Sequence, residues 1–181
     1  MTQLSLYFGM LMLTANFSST VQDTPRPAIT AQAPVQLSAE EQRFVDLVNY
    51  ERWSRGLQQL QMEPVLVEAA RAHSREMADK DYFDHYSPTP RLRSAMDRYL
   101  VSLGHRPDYA YLGENLFYCS VVDVNRGHDR LMKSTGHRDN ILNPRFRTIG
   151  VGVYESPDGQ FWVTQMFLSS EDADKTLVAS R

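Results

Sequence analysis

The spacing of hydrophobic residues predicts helices along most of the chain. Ser38 and Glu41 have the separation of a capping box, and apolar residues follow them at helical spacing. Pro64 suits the first turn of a second helix, and Gly104 suits the end of a third. Ser134–Gly136 is typical of the end of a fourth helix. The expected helices span residues 39–54, 64–80, 90–102 and 120–133.

The pattern changes near the carboxyl end, where apolar residues alternate with others. Thr148–Tyr154 alternates, and Phe161–Phe167 is rich in aromatic and β-branched residues, with a turn-forming Ser-Pro-Asp-Gly between them. These segments predict a β-hairpin, and residues 112–118 predict a further short strand. Helices followed by strands are typical of an α+β fold, in which helices pack on a small antiparallel sheet.

The amino-terminal region differs in composition from the rest of the chain. Leu4–Leu13 is apolar and small residues follow it, so residues 1–19 are expected to be a signal peptide or an apolar leader. This run is shorter than the roughly 20 residues that a transmembrane helix needs. Residues 20–37 are expected to be a proline-rich linker and residues 171–181 a polar tail. We therefore expect a protein that is secreted or held at the cell envelope.

Composition narrows the function classes further. The chain has 181 residues, a length that indicates one domain. Its net charge of −3 does not indicate the basic face that nucleic-acid binding usually needs. Its single cysteine, Cys119, excludes an intrachain disulfide and is expected to be a small core residue rather than a nucleophile. The protein is expected to be a monomer without a transmembrane helix.

Several polar segments stand apart from ordinary loops, and together they resemble a known family. Separately each segment is weak evidence, because the intervals between them do not show that they meet in space. Their order along the chain resembles the CAP superfamily of cysteine-rich secretory proteins, antigen 5 and pathogenesis-related proteins, in its cysteine-poor bacterial branch. The segments that carry the resemblance are Asn49–Arg52, Phe83–His85, Gly113–Asn115, Ser134–Leu142 and Ile149–Gly152.

The resemblance covers about residues 40–168, so residues 38–170 are expected to form a CAP domain. It implies an α-β-α sandwich with a cleft that collects two histidines and acidic residues. His85, Glu114 and His137 match three of those family positions. The family's second glutamate has no counterpart, since no glutamate lies between residues 115 and 154 and Asp129 is not assigned to that role.

The three matched residues allow two kinds of chemistry. Two imidazoles and a carboxylate are suitable ligands for Zn²⁺ or another divalent metal, with one position open for water. Without a metal, a histidine shuttles protons while Glu114 orients it. Asn115, Arg138 and Asn140 are expected to brace the surrounding loops, with Arg138 paired to Glu51 or Asp139.

Three functions follow as hypotheses from different classes. The leading one is a cleft that binds an extracellular ligand, namely a lipid, a cell-wall fragment or a peptide. The second is a metal-dependent hydrolase or peptidase that uses the same residues. The third is a buried hydrogen-bond network with a structural role only.

Residues outside the three matched positions have simpler expected roles. Among the other histidines, His73 is expected in the core, and His105 and His128 are expected at the surface. Gly150 and Gly152 are expected to permit close packing of the backbone. The hairpin aromatics Phe161, Trp162 and Phe167 are expected to be core residues.

Overall fold

The computed structural model describes residues 35–171. The expected leader over residues 1–19 and the tail after Glu171 lie outside the described residues, as does the linker up to residue 34. A short 3-10 turn, Pro90–Leu92, lies between the second and third helices. In chain order the helices and strands are α1 (Ala39–Trp53), β1 (Gln61–Met62), α2 (Pro64–Asp79), α3 (Ala95–Leu103), β2 (Ala110–Cys119), α4 (Val124–Lys133), α5 (Thr135–Ile141), β3 (Thr148–Glu155) and β4 (Phe161–Ser170).

Strands in the described part of the chain form a sheet in the order β1-β3-β4-β2. The predicted hairpin is present as β3 and β4, and β2 pairs antiparallel with β4 from Ala110 opposite Ser170 to Cys119 opposite Phe161. The sheet is mixed rather than purely antiparallel, because the two-residue strand β1 runs parallel to β3. A strand that short leaves no readable alternation in the sequence. The α+β class is confirmed.

Helices cover both faces of this sheet, which gives the α-β-α sandwich. On one face α1, α4 and α5 pack on a core that includes Phe44, Leu131 and Phe167. On the other face α2 and α3 pack on Met166 and Leu168. Because successive strand residues point to opposite faces, adjacent residues of β4 serve different cores. The expected core residues Phe161, Trp162 and Phe167 are all buried.

Helix α2 lies directly on the backbone of β3 at two glycines. A Cβ atom added to Gly150 would lie 2.3 Å from the carbonyl carbon of Leu66, and one added to Gly152 would lie 2.0 Å from the nitrogen of Arg71. No side chain fits at such distances. The prediction that these glycines permit close backbone packing is therefore confirmed. The absence of side chains at both positions allows α2 to contact the sheet directly.

The Asn49–Arg52 segment ties α1 to the loops around it. Asn49 accepts a hydrogen bond from Leu60 N–H at 2.7 Å and donates one to the Leu60 carbonyl at 3.0 Å. The fully buried guanidinium of Arg52 donates to the carbonyls of Ile141 and Asn143, each at 2.9 Å. Burial and the charge of Arg147 lower the Arg52 pKa to about 10. This segment therefore fixes the end of α5.

Three helix boundaries differ from the prediction. Helix α4 begins at Val124 rather than at residue 120, because the Asp123 side chain accepts a hydrogen bond from Arg126 N–H and caps the helix there. Helix α3 begins after Ser94 rather than at residue 90, because Ser94 and Asp97 form a capping box that starts the helix there. The segment at Ser134–Gly136 ends α4 as expected, but it also begins α5, which the sequence pattern did not predict. None of the described helices is long and apolar enough to span a bilayer.

Candidate functional site

Glu114 lies in the middle of strand β2, and its carboxylate is buried against the α2 and α3 side of the sheet. The carboxylate oxygen Oε1 lies 2.8 Å from His85 Nδ1, and Oε2 accepts a hydrogen bond from Arg98 Nη2 at 2.6 Å. The side chain of His85 is 49% exposed, whereas those of Glu114 and Arg98 are 4% and 2% exposed. A buried carboxylate therefore links a buried guanidinium to a solvent-accessible imidazole.

Arg98 holds both the side chain and the backbone around His85. Besides Glu114, its guanidinium donates to the carbonyl oxygens of His85 at 3.1 Å and Leu92 at 2.9 Å. The sequence analysis did not single out Arg98. Its neighbour Tyr99 is also buried. An arginine on the apolar side of a helix is the sequence signal that could have identified Arg98. Arg98 is thus the counter-ion of the site.

The His85–Glu114 pair changes the protonation of both partners. Burial alone would raise the Glu114 pKa, but the hydrogen bond from His85 and the charge of Arg98 outweigh it and lower that pKa. The hydrogen bond to Glu114 raises the His85 pKa above its ordinary value, against the opposing effect of burial. Glu114 therefore stays ionised and favours a protonated His85, whose Nδ1–H points to the carboxylate.

Asn115 follows Glu114 along β2 and serves the opposite face of the sheet. Its amide donates to the carbonyl of His137 at 3.1 Å and to the side chain of Gln165 at 3.2 Å. Asn140 donates to the side-chain oxygen of Asn115 at 2.9 Å and to the carbonyl of Glu114 at 3.1 Å. Asn115 and Asn140 therefore hold the backbone of α5 against β2.

His137 is half-buried on α5, and its backbone carbonyl accepts the hydrogen bond from Asn115 on β2. Burial lowers its pKa, and the positive charge of His85 lowers it further. His85 and His137 therefore belong to segments that β2 joins, through the side chains of Glu114 and Asn115. The side chain of the next residue, Arg138, donates a hydrogen bond from Nη1 to the Met132 carbonyl at 3.5 Å. The structure thus brings together the three segments that the sequence could only place in order.

A second buried network supports the loop that carries His85. His73, fully buried as expected, donates from Nε2 to the carbonyl of Asp84 at 3.2 Å. Burial and the charge of Arg98 lower the His73 pKa to about 4, so its imidazole is neutral. Glu76 accepts hydrogen bonds from Thr89 at 2.5 Å and from Tyr82 at 2.8 Å. These contacts fix both ends of the loop.

The remaining histidines divide between the surface and the core. His105 is exposed, as predicted. The prediction that His128 is exposed was wrong, because its side chain is 4% exposed and its Nε2 lies 3.7 Å from Glu51 Oε1. Helix α4 places this residue against α1, and burial lowers its pKa. The prediction failed because the neighbours of His128 in the sequence are charged residues and glycine, which are common on exposed faces of helices.

The metal hypothesis meets one geometric difficulty. Both oxygens of Glu114 already bind partners, His85 on one side and Arg98 on the other. Across the described residues, no group of three or more His, Cys, Asp or Glu side chains is gathered closely enough to hold an ion. The three-ligand set of His85, Glu114 and His137 therefore stays a prediction, and Glu114 fits the role of orienting His85 better than that of a ligand.

A pocket of about 400 Å³ opens beside the His85–Glu114 pair. Met96, Ala95 and Leu112 provide apolar walls, and His85 and Glu114 form the polar side. This combination of apolar walls and few polar groups is typical of sites that bind small molecules or side chains. The pocket lies between α3 and the outer edge of β2.

The chain matches a known protein family over most of its described residues. Residues 45–167 match the CAP family, described as the cysteine-rich secretory protein family. The chain is 42% identical over 143 residues to the uncharacterized protein YkwD of Bacillus subtilis (strain 168). That match covers 77% of this chain and 51% of YkwD, so the chain spans about half the length of this relative.

Solved structures share the fold. An extracellular protein containing an SCP domain from Bacillus anthracis str. Ames is 30% identical, with a TM-score of 0.61 over 75% of this chain and 45% of that one. NaASP2 with Zn²⁺ is 13% identical, with a TM-score of 0.53 over 75% of this chain and 82% of that one. The second similarity shows the fold alone.

Proposed function

We propose that this chain, which belongs to the cysteine-rich secretory protein (CAP) family, is an extracellular binding protein. It acts as a secreted or cell-envelope protein and binds an extracellular ligand in the cleft between His85 and His137. The relative from Bacillus anthracis, an extracellular protein with an SCP domain, supports this location. A lipid, a cell-wall fragment and a peptide are the ligand classes to compare.

The observation that carries the proposal is the buried pair that holds His85. Glu114 and Arg98 are almost completely removed from solvent, yet the imidazole that they orient is half-exposed. Removing two charges from water costs several kcal/mol for each ion, so a pair that positions one accessible imidazole favours a working site over a purely structural network. The His85 ring nitrogen opposite Nδ1 is the group that such a site presents to a ligand.

Ligand binding is tested by NMR with the full chain. Phospholipid vesicles, solubilised peptidoglycan fragments and short peptides are added in turn, and the side-chain resonances of His85 and His137 are followed. We expect one ligand class to shift both resonances. A His85→Ala/His137→Ala double variant should lose that binding, while His105→Ala, which changes an exposed histidine outside the cleft, should retain it. If no class shifts the cleft resonances, the proposal is wrong.

A metal-dependent hydrolase is the second candidate, because β2 joins the segments that carry two histidines, and a structure that shares the fold is described as NaASP2 with Zn²⁺. If bound, zinc would supply an activated water, and His85 and His137 are the residues that would hold it. Calorimetric titration of the full chain with Zn²⁺, beside the double histidine variant, decides between the candidates. Stoichiometric binding that the variant loses would favour the hydrolase, and no binding would favour the metal-free cleft.

A further inference from the structure

Strand β2 is the outer strand of the sheet, and its alternate peptide groups point away from β4. On the β4 side, the Leu168 carbonyl accepts a hydrogen bond from Arg147 N–H at 2.9 Å, so Leu168 directs its peptide groups toward β3. Its partner Leu112 therefore directs its N–H and carbonyl outward. The same alternation directs the backbone N–H and carbonyl of Glu114 outward. Asn140 donates a hydrogen bond to that carbonyl from the outer side.

Asn140 of α5 covers this edge at the Glu114 carbonyl, but the strand itself lacks the residues that usually protect an exposed edge. Proteins commonly block edge strands with lysine, proline or a very short strand. Ala110–Cys119 is a ten-residue strand with no lysine, arginine or proline, and its one charged residue, Glu114, is paired internally. At the opposite edge, by contrast, the described strand β1 has only two residues. Apart from the Glu114 carbonyl, the β2 edge therefore presents main-chain donors and acceptors, and those of Leu112 lie beside the pocket.

The 400 Å³ pocket lies on the side of this edge toward which the Leu112 side chain points. Directly opposite residues of paired strands point their side chains to the same face. A residue added opposite Leu112 would therefore direct its side chain toward Met96 and Ala95 in the pocket walls. His85 flanks the edge on this face, and α5 with His137 flanks it on the other.

We infer that the cleft binds an extended peptide segment, which adds to the outer edge of β2 and places an apolar side chain in the pocket beside Met96. This inference rests on the proposed function and names its ligand class. Main-chain hydrogen bonds provide affinity in this mode of recognition, and the pocket provides specificity. A row of alternating N–H and carbonyl groups complements a polypeptide backbone. A lipid chain offers no hydrogen-bonding groups along its length, and the hydroxyl groups of a sugar ring do not repeat at the spacing of a strand.

Fluorescent peptides of about six residues test the inference, since that is a typical strand length. They carry a central leucine between valine and threonine, and matched peptides carry aspartate in place of the leucine or an N-methyl group on the facing amide. Binding to the full chain is measured by fluorescence anisotropy. We expect the leucine peptide to bind, and the aspartate and N-methyl peptides to bind at least about tenfold more weakly.

Two variants at one position separate the backbone from the side chain. Leu112→Ala and Leu112→Pro both shorten the side chain, but only proline removes the outward N–H, and Leu112 makes no ladder hydrogen bond to β4 through that group. We expect Leu112→Pro to bind the leucine peptide about tenfold more weakly than Leu112→Ala does. A thermal melt verifies that both variants fold.

Hydrogen exchange in the unmodified protein gives an independent reading. The backbone N–H of Leu112 should exchange fast in the free protein and slowly when the leucine peptide is bound. The backbone N–H of Asn115 lies inside the ladder between β2 and β4, so it should stay protected in both states. Equal binding to both variants, or an unchanged Leu112 amide in the presence of bound peptide, would overturn the inference. If vesicles or peptidoglycan fragments bind through the histidines and no peptide does, the inference fails while the proposed function stands.

Discussion

Glu114 and Asn115 are adjacent in strand β2, and their side chains hold the two histidine-bearing segments from opposite faces of the sheet. Glu114 binds the imidazole of His85 on the α2 and α3 side, and Asn115 binds the backbone of His137 on the α5 side. The period of two along a strand is the cause of this division. One dipeptide therefore assembles a site whose two halves belong to different helical layers.

The first prediction concerns Arg98, which balances the charge of buried Glu114. Arg98→Ala would leave a carboxylate that is 4% exposed with His85 as its remaining charged partner. Breaking a buried ion pair on one side typically costs about 3–5 kcal/mol, and we expect a loss of unfolding free energy in that range. Chemical denaturation of the purified variant measures it.

Arg93→Ala is the matched control for Arg98, because Arg93 lies just before α3 with an exposed side chain, and its backbone carbonyl is the group that Arg98 contacts. We expect its unfolding free energy to change by no more than about 0.5 kcal/mol. In the Arg98→Ala/Glu114→Gln double variant the buried charge is gone, so the loss should be smaller than in Arg98→Ala alone. Equal losses in both variants would contradict the assigned pairing.

The second prediction concerns the protonation of the two cleft histidines. Glu114→Gln removes the carboxylate that favours protonated His85, so the His85 pKa should fall. The raised pKa stabilises the fold below the ordinary histidine pKa, and that stabilisation is lost as the pH rises through the raised value. His85→Asn should raise the His137 pKa, because it removes a neighbouring positive charge. Titration of the imidazole protons by NMR measures both changes.

Glu51→Gln provides the comparison for this titration. Glu51 lies on α1 and neighbours Arg55 and His128 rather than His85. Its replacement should leave the His85 titration unchanged. A His137 pKa that did not respond to His85→Asn would mean that the two imidazoles do not face each other across the β2 edge.

How much of this site the sequence predicts depends on the type of interaction. His85, Glu114 and His137 were identified because their motifs occur in a recognisable order. Arg98 was missed because its role arises from tertiary burial, and a helical arginine normally lies at the surface. Helix α5 was missed because Ser134–Gly136 has the composition of a helix end, although the chain resumes a helix at Thr135.

The fold was easier to predict than the site. The capping box at Ser38 and Glu41 and the alternation in β3 are local signals, so periodicity along the chain reveals them. Which residues meet across the sheet depends instead on register, and one residue of register decides that Glu114 and Asn115 face different layers. No local pattern carries that information.

The third prediction concerns the close contact between α2 and β3. Gly152→Ala would place a methyl group 2.0 Å from Arg71 nitrogen, which forces the helix away from the sheet. We expect a loss of at least about 3 kcal/mol in unfolding free energy, measured by thermal or chemical denaturation. Gly136→Ala is the control, because a Cβ there meets nothing within 4 Å and an alanine suits helix α5. Similar losses in both variants would contradict the packing argument.

The fourth prediction concerns acid stability and follows from buried His73. Its pKa is lowered to about 4, while in the unfolded chain it is about 6.5, so the unfolded chain binds a proton that the folded protein does not. The contribution of neutral His73 to the unfolding free energy is therefore fully present above pH 6.5. It declines by up to about 3 kcal/mol as the pH falls toward 4. Urea denaturation at a series of pH values measures this decline.

His73→Gln isolates the contribution of His73, because glutamine retains an amide donor for the Asp84 carbonyl but does not titrate. We expect the decline between pH 6.5 and 4 to be smaller in this variant, although His128 and His137, whose pKa values are also lowered, preserve part of it. Comparing the variant with the parent at pH 8, where the imidazole is neutral in both states, separates any packing defect from titration. An equally steep decline in the variant would show that His73 is not the buried neutral group that limits acid stability.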